Sequence, residues 1–532
     1  MHYTLTNTPV VTLRTRFYLC SLFKLVSLIR SHSLFPPSPP YKFNHPSPQE
    51  KPQKQSMDPH QSNQVSVEDI EFYPASPTSE YINSSVLSLS ILSVFESEIP
   101  IDDSQTITLL RTVFLPINPR FSSILLRDEK GSQMWKKVHV KLEDHVKTPH
   151  LPLGLHTDAY DEYLKDYLSK IAGEKLPDDR PLWEIHIFKY PTRDAAGTTV
   201  FKLHHALGDG FSLMGALFSC LRRADDPSLP LTFPSSFVKK ESNITRRERM
   251  KKIWRGVSGV VTGCWNTAND FSTGLLQSTV WEDDRNAIRS GRDGVEFEPI
   301  SVSTVTFSLD DIKKVKHKIG GSVNDVAVGS MFYGIQLYKQ RTCQNSNGTR
   351  MTALVLLNTR MVSRYQSINE MLTQKTWGNQ FTFLNVPIPS SNNTDKPDPL
   401  SFLLKAKKTI KRKKHSMAIF LTGRLIQTLR RFKGPEAVSS FIHTTMKNTS
   451  TGISYLNGPI EKMELGHHPI KSFYFIVVGV PHSLAVTMVS YMGNLKVVFT
   501  GEKGFIDSQL LVSCMKEAFD KVYKEACGND GM

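Results

Sequence analysis

The stretch TTVFKLHHALGDGFSLMGALFSCLRR, residues 198–223, decides how this chain is read. It divides into a strand, a short polar turn and a helix. Alternation with a period of two sets Phe201, Leu203 and His205 on one face of the strand and Val200, Lys202 and His204 on the other. His205 is therefore in phase with the buried residues, and it is the last of them before Ala206-Leu207-Gly208-Asp209-Gly210. Gly208 and Gly210 are expected to supply backbone angles that a bulkier residue resists. A helix follows, with Phe211, Met214, Phe218 and Leu221 at helical spacing. Arg222 and Arg223 are placed in its last turn, where positive charge suits the helix dipole.

An imidazole at the inner edge of a sheet, with a carboxylate four residues on, suits proton abstraction. Neutral imidazole titrates near working pH, so it can take a proton from an alcohol and return it to a leaving group. Asp209 is expected to orient that ring or, preferably, to brace the turn against a basic residue. A satisfied core histidine beside a turn aspartate is the plainer alternative. His204 and His205 point to opposite faces, which disfavours a shared metal. There is no His-Glu-x-x-His and no Cys-x-x-Cys, so no metal ligands are assigned.

HHALGDG resembles the His-His-x-x-x-Asp-Gly signature of acyl-CoA-dependent acyltransferases related to chloramphenicol acetyltransferase. The doubled histidine and its surroundings are similar to the plant bifunctional wax ester synthase/diacylglycerol acyltransferases. Further stretches fit in order: SPTSEYINSSVLSLSIL from Ser76, the run from Ile101 to His145, Pro181-Leu182-Trp183-Glu184 and Asn324-Asp325. LNTR from Leu357, WGNQF from Trp377, Asn457-Gly458-Pro459 and SYMGNLKV from Ser490 complete the series. The resemblance runs from about residue 66 to the C-terminus.

The resemblance implies an α/β fold of mixed sheets, with two chloramphenicol acetyltransferase-like domains packed as a pseudo-dimer around an interface tunnel. The expected divisions are an N-terminal extension (1–65), an N-terminal domain carrying the histidine motif (66–225), a crossover linker (226–299) and a C-terminal domain (300–532). It implies transfer of a fatty acyl group from acyl-CoA to a fatty alcohol or diacylglycerol. His205 is the general base, and Asp209, His204 and Gly210 complete the motif. Acyl-CoA is a co-substrate and no cofactor is bound. Pro181, Leu182 and Trp183 are expected near the reaction chamber, with a plain core role for Trp183 equally weighted. Asn324 is a candidate to position substrate or steady an oxyanion, and Asp325 to cap a helix. Arg360 is expected to pair with Asp209. Other readings are an acyltransferase for a different alcohol or amine, or a non-catalytic acyl-CoA or lipid carrier.

The rest of the chain bounds these readings. Its 532 residues suggest more than one domain, and the net charge is +15. Cysteines 20, 220, 264, 343, 514 and 527 show no paired spacing, which fits a reducing compartment. Residues 1–35 are rich in Arg, Ser and Leu and lack acids, like a transit peptide. Met57 as the natural start is the preferred alternative. Lys239–Arg255 carries eight basic residues and two acids, and Ile253–Val280 is too polar to span a bilayer, so the linker is expected to lie on a membrane surface or, equally, to be a solvated helix packed across both halves. Lys405–Lys433 carries eleven basic residues and no acid. No nucleic-acid fold signature accompanies it, so nucleic acid is not expected as a partner. A membrane surface or CoA phosphate is preferred, beside the common case of a solvated helix face. The expected location is the cytosolic face of the endoplasmic reticulum membrane, then the plasma membrane, with the plastid disfavoured. The C-terminal segments Ser472–Val480, Ser483–Tyr491 and Leu495–Thr500 read as a three-stranded meander.

Overall fold

The computed structural model describes residues 72–128, 132–234, 263–342, 349–360, 365–390 and 398–528. The basic run Lys239–Arg255 and the N-terminal extension lie outside the described residues. In chain order the strands are β1 (Phe72–Pro74), β2 (Ser90–Ser97), β3 (Ser123–Arg127), β4 (Gln133–Lys137), β5 (Val146–Lys147), β6 (Trp183–Phe188), β7 (Gly197–His204) and β8 (Arg222–Arg223). They continue as β9 (Ile300–Ser308), β10 (Thr352–Asn358), β11 (Phe381–Pro387), β12 (Thr451–Asn457), β13 (Met463–Leu465), β14 (His468–Val478), β15 (Leu484–Tyr491) and β16 (Asn494–Glu502).

Two mixed sheets carry the architecture. The first has seven strands in the order β5-β6-β7-β2-β14-β13-β8, and the second has six in the order β11-β10-β12-β15-β16-β9. A small sheet, β1-β4-β3, stands beside them. Each large sheet has its own apolar core. Around the first pack Phe95, Phe114, Phe121, Trp183 and Leu203, and around the second Phe332, Val386, Phe402, Val486 and Phe499. The helices Val323–Arg341, Pro399–Lys414 and Ser508–Cys527 cover the second sheet. Ser308 and Ser322 cap the starts of Leu309–Ile319 and Val323–Arg341 by accepting from the backbone N–H three residues on.

The strand in the diagnostic stretch is buried along its whole length. Lys202 and His204 are as inaccessible as Leu203 and His205, so the expected contrast between its two faces does not exist. Lys202 satisfies its ammonium on the Glu174 carbonyl at 2.6 Å. The helix is Gly210–Ser219, and Asp209 caps it by accepting from Ser212 N. Arg222 and Arg223 are not its last turn. They form β8 and pair with β13.

The C-terminal meander is also corrected. β14 hydrogen-bonds to β2 in the first sheet, whereas β15 and β16 belong to the second. The chain passes between sheets at residues 479–483, where Gly479 adopts a φ of 81°. A methyl group on Gly479 would lie 2.1 Å from the Ser88 carbonyl oxygen, so the approach admits only hydrogen there. The range 300–532 thus supplies β13 and β14 to the sheet that carries the histidine motif. Buried Asp283 ties the stretch before β9 to β10 and to the start of β12: it accepts from Thr352 N and from the Ser450 hydroxyl. Among the described residues, no helix is long and apolar enough to cross a membrane.

Candidate active site

Strand β7 delivers His205 to the end of the first sheet, and β10 and β11 bring the second sheet to meet it. His205 N donates to the Leu89 carbonyl at 2.8 Å, extending the ladder one residue past the strand. The imidazole is then gripped by Asn379, which lies just before β11. Asn379 Nδ2 donates to the His205 carbonyl at 2.9 Å, which turns Asn379 Oδ1 toward His205 Nδ1 at 2.8 Å. An acceptor at that position fixes the proton on Nδ1, so Nε2 carries the lone pair. The ring also meets the Phe381 ring edge-to-face at 5.5 Å. Burial holds the His205 pKa below its ordinary 6.5, against the opposing influence of Asp209 and the Asn379 bond. The imidazole is therefore neutral and available as a base.

His204 has the opposite tautomer. Its Nδ1 accepts from Ala206 N at 3.1 Å, so the proton sits on Nε2 and is donated to Ser88 Oγ at 3.0 Å. Burial depresses its pKa to about 3. This histidine folds the turn back on itself and lines neither of the cavities described below.

Asp209 does not touch the His205 ring. Its Oδ1 accepts from Ser212 N at 3.1 Å and Arg360 Nη2 at 2.9 Å. Its Oδ2 accepts from Arg360 Nη1 at 2.7 Å and Gln380 N at 2.9 Å. Both partners of the Arg360–Asp209 pair are buried, and the guanidinium also donates to the Gly378 and Thr376 carbonyls. The pairing expected from the sequence is present, and it ties the first sheet's turn to the second sheet. Trp377 Nε1 adds a further tie, to the Leu207 carbonyl at 3.1 Å.

Neither Gly208 nor Gly210 has a positive φ, so neither is there for its backbone angles. A Cβ on Gly208 would press on Ser212 Cβ at 3.0 Å. Gly210 faces open space and lines the cavity beside His205, where a side chain would occupy room. Trp183 is a core residue. It stacks on His145, donates its indole N–H to the Phe121 carbonyl and lines neither cavity. Pro181 and Leu182 lie at the neighbouring end of β6, where the Leu182 carbonyl accepts from His204 N. Asp325 closes a capping box with Ser322. Asn324 sits at the same helix end and lines neither cavity, so the structure does not bring it to His205.

Two cavities meet at this point. One, of about 270 Å³, is lined by His205, Gly210, Phe211, Arg360, Phe381 and Asn457 among others. The second, of about 220 Å³, reaches Asn379 and Phe381 and extends between Leu384, Ile419, Leu425 and Ile442. Phe381 belongs to both, His205 lines the first and Asn379 the second, so the hydrogen-bonded pair reaches both cavities. Asn379 is the residue that sequence reasoning missed. WGNQF stood out as a motif, but nothing in its spacing tied an asparagine to a histidine 174 positions away.

Comparison with known proteins bears on this arrangement. The model of the wax ester synthase/diacylglycerol acyltransferase catalytic domain matches residues 111–327, and that of the WS/DGAT C-terminal domain matches residues 377–523. This chain belongs to the wax ester synthase/diacylglycerol acyltransferase family. It is similar to Arabidopsis thaliana wax ester synthase/diacylglycerol acyltransferase 4, with 29% identity over 80% of this chain and 84% of that protein. It is also similar to number 11 of the same plant series, with 28% identity over 82% of this chain and 91% of that protein. The fold is that of the Marinobacter aquaeolei family member, at a TM-score of 0.53 and 15% identity, over 85% of this chain and all of that one. Among the described residues, no group of three or more His, Cys, Asp or Glu side chains is placed to hold a metal.

Proposed function

We propose that this chain transfers a fatty acyl group from acyl-CoA to the hydroxyl of a long-chain alcohol or of diacylglycerol, with His205 as general base. The observation that carries the reading is the His205–Asn379 pair, a buried neutral imidazole with Nδ1 occupied and Nε2 open. Nε2 accepts the hydroxyl proton while the alkoxide oxygen attacks the thioester carbonyl. The tetrahedral intermediate collapses by breaking the C–S bond, and the imidazolium returns the proton to the departing CoA thiolate. Ester and CoA are the products, and no acyl-enzyme is formed.

The two cavities suit two substrates that approach from opposite sides. The halves on either side of residues 226–299 act as two acyltransferase-like domains, with Arg360–Asp209 holding their junction. His204 positions the turn from outside both cavities, while Asp209 and Arg360 brace it from the wall of the His205 cavity. In this reading the protein works at a membrane that dissolves the acceptor, at the cytosolic face of the endoplasmic reticulum. The test supplies labelled palmitoyl-CoA with hexadecanol or diacylglycerol to purified protein, beside His205→Ala. Ester made by the wild type and lost in the variant supports the reading, and the ratio of products names the acceptor. Folded wild-type protein that makes no ester with either acceptor overturns it.

A further inference from the structure

The helix Ala418–Lys433 has two faces with different business. Ile419, Thr422, Leu425 and Ile426 follow helical spacing and line the cavity that reaches Asn379. The opposite face presents large apolar side chains to the outside: Phe420 is 65% exposed and Phe432 75%, with Leu421 and the preceding Met417 beside them. Arg424, Arg431 and Lys433 stand exposed among these apolar groups, and the helix contains no acidic residue. Arg430 is turned inward instead and is held by Glu80 at 2.8 Å. The neighbouring helix, residues 263–277, abuts this one where Met417 N donates to Thr267 Oγ1, and it contributes exposed Trp265. On the other side, Lys405, Lys408, Lys411 and Lys414 line an exposed edge of Pro399–Lys414.

We propose that Ala418–Lys433 is an interfacial helix: its outer face rests in the headgroup layer of an anionic bilayer, while its inner face walls the cavity that reaches Asn379, which this placement assigns to the lipid acceptor. The inference rests on the lipid acceptor proposed above, and it names the surface and the route. Phenylalanines interleaved with arginines along one exposed helix face match the headgroup boundary, where apolar side chains reach the acyl region and cations meet lipid phosphates. A second copy of this chain is a poor occupant, because two such faces would oppose like charge to like charge. With the outer face in lipid, a dissolved alcohol or diacylglycerol reaches Asn379 along the inner face without crossing bulk water.

The test uses the full chain with phosphatidylcholine vesicles, with and without phosphatidylserine. Phe420→Asp/Phe432→Asp alters only the outer face, since neither residue lines a cavity. We expect wild-type protein to sediment with the anionic vesicles and to release at high salt. The double variant should bind at least about tenfold more weakly and esterify vesicle-borne hexadecanol correspondingly more slowly. Its rate with water-soluble butanol should stay within about twofold, which separates loss of docking from a damaged site. Gly423→Trp supplies a gain. Its Cβ meets open space on the outer face, and vesicle binding should tighten. Unchanged vesicle binding in both variants overturns the proposal. So does a double variant that loses binding but keeps its rate on vesicle-borne hexadecanol, or one that loses both acceptors equally. A wild type that makes no ester with either acceptor instead overturns the acyltransferase reading.

Discussion

Asn379 gives the His205 imidazole a fixed direction. Its two hydrogen bonds set the ring plane and the tautomer together. The bond to Nδ1 favours the protonated ring, so removing it lowers the His205 pKa further. For Asn379→Ala, the acid limb of kcat/KM is expected to move to lower pH while the plateau falls about 10- to 100-fold. A pH–rate profile checks both, and a fall in rate with an unmoved acid limb would count against the positioning role. At the adjacent position, His204→Ala should retain far more activity than His205→Ala, whose loss should reach about 10²–10⁴-fold. Parallel assays at saturating acyl-CoA decide between them. The sequence distinguishes these histidines by strand alternation, yet both are buried. What separates them is the partner of each Nδ1, a backbone N–H for His204 and an amide oxygen for His205. Neither partner is visible in a pattern of apolar and polar residues.

Among the elements, the turn after β7 and the strands β10 and β11 hold the site together. Arg360 pairs with Asp209 through two hydrogen bonds while both are buried, and each half supplies one partner. Loss of one partner strands a charge, and Arg360→Ala is expected to cost about 3–5 kcal/mol of stability. Arg360→Lys keeps the charge but forfeits the two-pronged geometry, so it should fall between. Urea unfolding of the two variants beside Asp209→Asn measures the coupling. The pair was legible because both residues sat in motifs of a known family. The crossover at Gly479 was not, because three alternating segments in succession look the same whether they share a sheet or change sheets. Gly479→Ala should cost on the order of 2 kcal/mol, from its φ and from contact with Ser88 O. Since Ser88 Oγ also receives His204 Nε2, activity should fall along with stability. A melting curve and an ester assay on that variant would show whether the two losses travel together.

Over the whole molecule, buried histidines set the response to acid. Burial depresses the pKa of His204 and His482 to about 3 and lowers those of His145 and His205. The unfolded chain takes up these protons near 6.5 and the folded chain does not. Stability is therefore complete above pH 6.5 and is lost as the pH falls toward the folded values. Each of His204 and His482 should contribute about 1.4 kcal/mol per pH unit in that window. Thermal melts at pH 7 and pH 5 should separate clearly, and His482→Gln should narrow the gap.

The passage of β14 into the first sheet also governs how the protein is born. β2 is complete by residue 97, and its far edge stays bare until residues 468–478 have been made. About 270 residues separate the end of β7 from the end of β14, which at ribosomal speed is roughly 15–50 s. Throughout that interval a fully buried strand offers an unpaired backbone edge to any other extended chain. A nascent chain of this length is a natural client for chaperones, and premature stop codons before residue 478 should yield insoluble protein rather than a weakened enzyme.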